Sequence, residues 1–99
     1  MRVRFAAVAR QELVEVGDYI ATDNRSAARR YVAGLKTHCE ALRHFPRRFT
    51  ACPEFGSGLH RTRYRSHDIY YSVQGEIVLV ERIVHAMRDT STLSFTRRE

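Results

Sequence analysis

The sequence is poor in the residues that build covalent or metal-based scaffolds. It contains two cysteines, two prolines and five glycines in 99 residues. Cys39 and Cys52 have neither the number nor the spacing of a disulfide framework or a zinc site. So little glycine and proline also excludes collagen-like and low-complexity chains. We therefore expect two reduced thiols in a cytoplasmic protein.

Long apolar runs are missing as well. No stretch approaches the roughly 20 apolar residues that cross a bilayer. The apolar residues near the beginning of the sequence are interrupted by Arg10, Gln11 and Glu12. That is too early for the apolar segment of about 7–15 residues in a signal peptide. The sequence predicts neither a membrane span nor an export signal.

What the sequence does contain is arginine. Seventeen basic against eleven acidic residues give a formal net charge of +6, and Lys36 is the only lysine. With 43% hydrophobic and 28% charged residues, the composition is that of one globular domain over residues 1–99. A charge of this size indicates an anionic partner, either nucleic acid or an acidic protein.

The spacing of apolar residues predicts an α+β fold. Alternation over residues 2–7 predicts a strand, and helical spacing predicts helices from residue 9 to about 20 and from about 27 to 44. Glu12 is assigned to the polar side of the first helix, and Asn24 or Ser26 caps the second. Residues 46–58 are predicted to be irregular, and strands are predicted over 59–64, 68–73 and 76–85. The resulting β-α-α-β-β-β order places an antiparallel helical hairpin on a mainly antiparallel sheet.

The last predicted strand is apolar on both faces. Strict alternation predicts two sets of side chains: Ile77, Leu79 and Ile83 on one face, and Val78, Val80 and Val84 on the other. Such a strand is central in its sheet and covered on both sides. One helical hairpin covers a single face. The other face is covered either by residues 86–99, through Leu93 and Phe95, or by a partner chain.

Basic side chains mark the strand region. Three of them alternate along one predicted strand and should share a face: Arg61, Arg63 and Arg65. Such a row suits bidentate contacts with phosphate, and it equally suits a solvated strand edge that resists pairing. Arg82 interrupts an apolar strand, and a half-buried charge needs a partner. Asp89 or a backbone group is a better candidate than Glu81, which should face the other way.

The residues offer an incomplete catalytic set. In a ribonuclease, His85 could titrate near neutral pH while Arg61, Arg65 and Arg82 hold phosphate. The reaction also needs a second acid–base group, for which the sequence offers only a weak candidate, Tyr64. His60, His67 and His85 lie in different strands without metal-ligand spacing, so we expect no metal and no cofactor.

The order and spacing of several short motifs resemble the ParE/RelE superfamily of toxins from type II toxin–antitoxin systems, and its ParE branch in particular. The first helix carries Ala9-x-x-Glu12-Leu13-x-x-Val16-x-x-Tyr19-Ile20, and the second ends in Leu42-x-x-Phe45-Pro46. More specific are Gly58-x-x-x-x-x-x-x-Ser66-His67-x-Ile69-x-Tyr71 and Arg82-Ile83-Val84-His85-x-x-x-Asp89. Together these motifs cover nearly the whole chain.

The resemblance implies a toxin that inhibits DNA gyrase, blocks replication and is neutralised by a cognate ParD-like antitoxin. RelE-like relatives are instead ribosome-dependent mRNA endoribonucleases, and this activity is the alternative. Ala86-Met87 offers no tyrosine or second histidine after the last strand, which favours gyrase. Many relatives have Gly-x-Arg where this sequence has Gly58-Leu59-His60, so Arg61 is a possible substitute for that arginine.

A set of residues is predicted to contact the antitoxin or the target. Its members are Arg61, Arg63, Arg65, His67, Tyr71, Arg82, His85, Met87, Arg88 and Asp89. The arginines lie mainly in a loop, a strand row and a strand end. An acidic protein partner explains this placement of the charge at least as well as DNA does.

Overall fold

The computed structural model describes residues 1–56, 58–88, 93 and 95. Its elements are β1 (Arg2–Phe5), α1 (Ala7–Ala21), α2 (Arg25–Glu40), β2 (Thr50–Ala51), β3 (Leu59–Tyr64), β4 (His67–Gln74) and β5 (Ile77–His85). Single 3-10 turns follow α2 at Ala41–Arg43 and precede β3 at Pro53–Phe55. The predicted fold class and β-α-α-β-β-β order are confirmed. The two-residue strand β2 is an addition within the segment that we predicted to be irregular.

The five strands form one sheet in the order β1-β5-β4-β3-β2. β1 runs parallel to β5, and the other neighbouring strands are antiparallel. The chain thus returns after both helices to build β5 between β1 and β4. This makes β5 an interior strand with a neighbour on each side, as its apolar character on both faces predicts.

The second helix begins earlier than its apolar spacing suggests because Asn24 caps it. The Asn24 side-chain oxygen accepts a hydrogen bond from the Ala27 amide at 2.9 Å, which satisfies one of the unpaired donors of the first turn. The helix therefore starts at Arg25. It ends at Glu40, where the chain tightens into the 3-10 turn, and not at residue 44.

The predicted division of β5 into two faces is wrong beyond Val80 because the strand contains a bulge. Tyr70 pairs with Arg82 whereas Tyr71 pairs with Val80, so Glu81 is one residue more than β4 can match. The bulge reverses the alternation. Val80 and Ile83 consequently pack in the same core cluster on the helical side.

The far face of the sheet is covered in part by the C-terminal segment. Leu93 and Phe95 pack against a cluster formed by Cys52, Leu59, Tyr70 and Val84. The Phe95 ring lies 5.5 Å from that of Tyr70. Of the two alternatives left open by the sequence, folding back of the tail accounts for these two side chains.

Beyond Val80 the edge of β5 is no longer covered by β1, and Glu12 of α1 takes over. One carboxylate oxygen of Glu12 accepts hydrogen bonds from Arg82 Nε at 3.0 Å and Nη2 at 2.7 Å. The other accepts the backbone N–H of Ile83 at 2.7 Å. Glu12 and Arg82 are both buried. Glu12 is therefore not on a polar helix face, and it is a partner of Arg82 that sequence reasoning missed.

We expect Glu12→Ala to destabilise the protein by about 3–5 kcal/mol, because it removes one partner from a buried charge and from a buried amide. Glu15→Ala is the matched control, since Glu15 is exposed and accepts only a long bond from Gln11 at 3.3 Å. Its effect should stay within about 0.5 kcal/mol. Chemical denaturation of both variants measures the difference. Equal stabilities would show that the buried pair does not hold α1 to β5.

Candidate functional site

Two histidines meet where β4 begins and β5 ends. His67 and His85 are directly opposite each other in the β4–β5 register, and their ring centroids are 5.4 Å apart. The Tyr31 hydroxyl of α2 lies 2.8 Å from His67 Nδ1 and accepts the Ser66 amide N–H at 3.2 Å. The residues that follow β5 include no tyrosine and no second histidine. The fold instead brings His67 and Tyr31 next to His85 from other elements.

The environment of this pair keeps His67 neutral near pH 7. Burial lowers the pKa of His67, the neighbouring His85 lowers it further, and Asp68 opposes both effects. His85 is exposed, and its Nδ1 accepts the Met87 backbone N–H at 3.1 Å. That bond assigns the proton of neutral His85 to Nε2.

A groove of about 680 Å³ runs between α1 and this histidine pair. Its lining residues are Glu12, Glu15, Val16, Tyr19, Ile20, Tyr31, Ser66, His67, Ile83, Val84, His85 and Arg88. Tyr19 is 80% exposed, and Met87, beside His85 in the chain, is 85% exposed. Large apolar side chains with this much exposure in and beside a groove are typical of a protein interaction surface.

The predicted row of three arginines is only partly formed. Arg61 and Arg63 pair across the sheet with Tyr70 and Asp68, and Arg63 Nε donates to Asp68 Oδ1 at 2.7 Å. Arg65 lies beyond the end of β3, in a turn with a φ of 52°. Its guanidinium carbon lies 5.7 Å from the Tyr64 ring centroid. The turn therefore removes Arg65 from the row.

Two of the predicted contact residues are buried. The Tyr71 side chain is buried, and its hydroxyl donates to the Pro46 carbonyl at 2.6 Å. Burial raises the pKa of Tyr71 to about 12. Arg82 is held by Glu12, as described above. Asp89, which we had considered as a partner of Arg82, lies outside the described residues.

The exposed candidates gather around the groove. Arg88 lines it, with Nη1 3.9 Å from Glu12 Oε2, and nearly half of the Arg88 side chain is exposed. His85 and Met87 are exposed at the end of β5, and His67 is half-buried behind them. His67, His85 and Arg88 thus line the groove and Met87 follows His85 in the chain beside it, whereas Arg61 and Arg63 lie along β3.

Sequence reasoning missed Glu12 and Tyr31, although both leave a signal. Glu12 follows Ala9 by three positions, and Tyr31 follows Ala28 by three. Residues three and four apart share a helix face. Each polar side chain therefore lies on the apolar stripe of its helix, where a buried hydrogen-bonding role is to be expected.

Neither cysteine is an activated nucleophile. Cys39 and Cys52 are free and buried, and burial raises the pKa of the Cys39 thiol to about 12. Among the residues that the structure describes, no three histidine, cysteine, aspartate or glutamate side chains group as metal ligands. In the same part of the chain, no helix is long and apolar enough to cross a membrane.

Comparison with known protein families identifies the family of this chain. The family described as "ParE toxin of type II toxin-antitoxin system, parDE" has a sequence model that matches residues 3–90. The chain belongs to the ParE toxin family. The match extends from β1 to beyond β5 and therefore includes every residue that lines the groove.

A solved structure agrees with this assignment. The protein titled "Chromosomal ParDE TA system from P. aeruginosa" superimposes with a TM-score of 0.72 at 17% sequence identity. The match covers 86% of this chain and 95% of the other. No curated protein sequence matches the chain. At such low identity, the structural likeness establishes the ParE fold.

We expect stability to fall as the pH is lowered through the range just below 6.5, the ordinary pKa of histidine. The pKa of His67 is lower in the folded state, so the unfolded chain binds more protons in this window and gains stability from acid. Below the folded-state pKa, His67 is protonated in the folded and the unfolded state alike, so it causes no further loss of stability. Denaturation at pH 7.5 and 5.5 should show a smaller loss for His67→Asn than for the wild type.

His38 must be controlled for in this experiment. Burial also lowers the pKa of His38, whose Nε2 lies 3.0 Å from the Thr62 hydroxyl. His38→Asn should therefore remove a separate part of the same acid sensitivity. If the loss of stability is unchanged in both variants, the two half-buried histidines are not its source.

Proposed function

We propose that this ParE family member inhibits DNA gyrase in the cytoplasm, blocks replication, and is neutralised by a ParD-like antitoxin. The observation that supports this proposal is the family match over residues 3–90. The fold adds a groove with exposed apolar side chains at its rim. Inhibition of gyrase and neutralisation by an antitoxin both require protein contacts, and a groove of this kind offers a surface for them.

The groove is the surface we assign to protein contacts. Tyr19 and Met87 offer large exposed apolar area, and aromatic residues and methionine are enriched at interfaces. Arg88 and Arg65 supply positive charge near the same end of the sheet. Tyr71 and Arg82 are left out of this surface because both are buried.

We expect the target to contact the tip of the sheet formed by His85, Met87 and Arg88. Met87→Asp places a charge where an apolar side chain would be buried against gyrase. It should raise the concentration that half-inhibits supercoiling by tenfold or more, about 1.4 kcal/mol. Val14→Asp is the matched control, because Val14 is also exposed but belongs to α1 and is part of neither this tip nor the groove lining. The assay is supercoiling by purified gyrase with purified toxin.

The same assay separates the two branches of the superfamily. The paired histidines are the one observation that favours a RelE-like mRNA endoribonuclease, since they supply two imidazoles with Tyr31 alongside. In that case gyrase supercoiling would be unaffected, mRNA would be cut on ribosomes, and His85→Ala would abolish cutting while the protein stays folded. This outcome would replace the gyrase proposal.

The antitoxin should present an acidic, amphipathic segment to the groove. Apolar residues would pack on Tyr19 and Ile20, and carboxylates would face Arg65 and Arg88. We expect Arg65→Glu with Arg88→Glu to weaken antitoxin binding by about tenfold or more at low salt, and less at high salt. Arg2→Glu with Arg4→Glu, on the edge strand β1, is the control of equal charge. Calorimetric titration measures both, and equal losses would contradict a directed interface.

A further inference from the structure

The first part of the loop between α2 and β3 carries positive charge without any acidic residue. Residues 41–53 contain Arg43, Arg47 and Arg48, together with Phe45 and Phe49, and no aspartate or glutamate. This segment lies outside the groove described above. Its residues are also not among those that we predicted to contact gyrase or antitoxin.

The loop is held to the sheet at two carbonyl groups. The Tyr71 hydroxyl donates to the Pro46 carbonyl at 2.6 Å, and His60 Nδ1 lies 3.2 Å from the Phe49 carbonyl oxygen. A turn is closed between them by the Arg48 amide, which donates to the Phe45 carbonyl at 3.1 Å. Because the backbone is tied down at both ends, its outward side chains are presented in a defined arrangement.

Those outward side chains combine an aromatic ring with two cations. The Phe45 side chain is 65% exposed, and Arg47 and Arg48, the last two residues of the turn, are exposed as well. Arg48 Cζ lies 5.7 Å from the Phe49 ring centroid, beside a hollow of about 250 Å³. Within residues 1–56 and 58–88, no carboxylate forms an ion pair with Arg47 or Arg48.

The charge of Arg43 differs from these two because it is partly offset. Arg43 Nη1 lies 3.2 Å from Glu40 Oε1, a pair that is about half exposed. Arg47 and Arg48 are thus the cations of the loop that remain for a ligand. Guanidinium groups form two parallel hydrogen bonds with phosphate, and an exposed ring offers a stacking face for an unpaired base.

We propose that residues 45–49 bind a single-stranded nucleic acid. In this arrangement Phe45 stacks on an unpaired base, and Arg47 and Arg48 bind the flanking phosphates. A double helix keeps its bases stacked and gives Phe45 no face to contact, which is why we infer a single strand. An acidic peptide would account for the arginines but not for the exposed ring between them and Arg43. The inference does not depend on the gyrase target, since the binding requires neither gyrase nor antitoxin.

The test measures the binding of the full-length purified toxin to fluorescently labelled 12-nucleotide DNA and RNA strands and to a 12-base-pair duplex, by anisotropy. We expect a single strand to bind more tightly than the duplex. Phe45→Ala should weaken single-strand binding by about 5- to 150-fold, the range found when one base loses its stacking partner. Phe45→Tyr should restore binding, because it keeps the ring.

Salt dependence tests the two arginines separately from the ring. Each phosphate contact contributes about 0.7 to the slope of log K against log salt for a single strand. Arg47→Ala with Arg48→Ala should therefore lower the magnitude of the slope by about 1.4. Arg25→Ala with Arg29→Ala is the control of equal charge, at the other end of α2, and it should leave the slope within about 0.3 of the wild type.

The possible results all bear on the proposal. Binding to DNA or to RNA that is lost in the loop variants supports it, and the tighter of the two identifies the ligand. No measurable binding, equal binding to the duplex, or an equal effect of the Arg25 and Arg29 control would overturn it. Unchanged nucleic-acid binding combined with weaker antitoxin binding in the loop variants would also overturn it, and would assign the loop to a protein partner. Thermal unfolding checks that each variant is folded.

Discussion

The carboxylate of Glu12 is the contact on which the arrangement of helices and sheet depends. It satisfies the Ile83 amide at the edge of β5 that β1 leaves uncovered, and it neutralises the Arg82 guanidinium in the interior. A lone buried charge would be strongly destabilising, so the two side chains need each other. Their pairing sets the position of α1 over the end of β5. Glu12 also lines the groove, so the shape of the groove depends on this contact.

The same contact divides the arginines into those that serve the fold and those that are available at the surface. Arg82 is committed to Glu12, and Arg63 is paired with Asp68. Arg88 lies near the groove with much of its side chain exposed, and Arg47 and Arg48 lie on a separate loop. The net charge of +6 is therefore not one uniform field. Two groups of the exposed arginines lie at surfaces to which we assign ligands of different chemistry.

Much of the fold could be predicted because its helices and long strands follow the two periodicities of side-chain burial. The bulge at Glu81 could not, because one extra residue reverses the alternation without changing the composition of β5. The strand β2 has only two residues and leaves no pattern. In the site, His85, Met87 and Arg88 were predicted from the end of the last strand. His67 was also predicted, but its position opposite His85 depends on the register of β4 and β5. Tyr31 was not predicted, because it lies in α2, 36 residues before His67 in the sequence.

The parallel pairing of β1 with β5 determines when this protein can fold. Arg2 pairs with Ile77, and the Ile83 amide bonds to a side chain 71 residues earlier in the sequence. Contacts so distant along the chain carry a large loop-closure cost and form late. β1 is synthesised first but has no strand to pair with until β5, near the end of the domain, has been made. A partly synthesised chain consequently lacks the groove, so the ability to bind a target or an antitoxin arises only when translation of the domain is nearly complete.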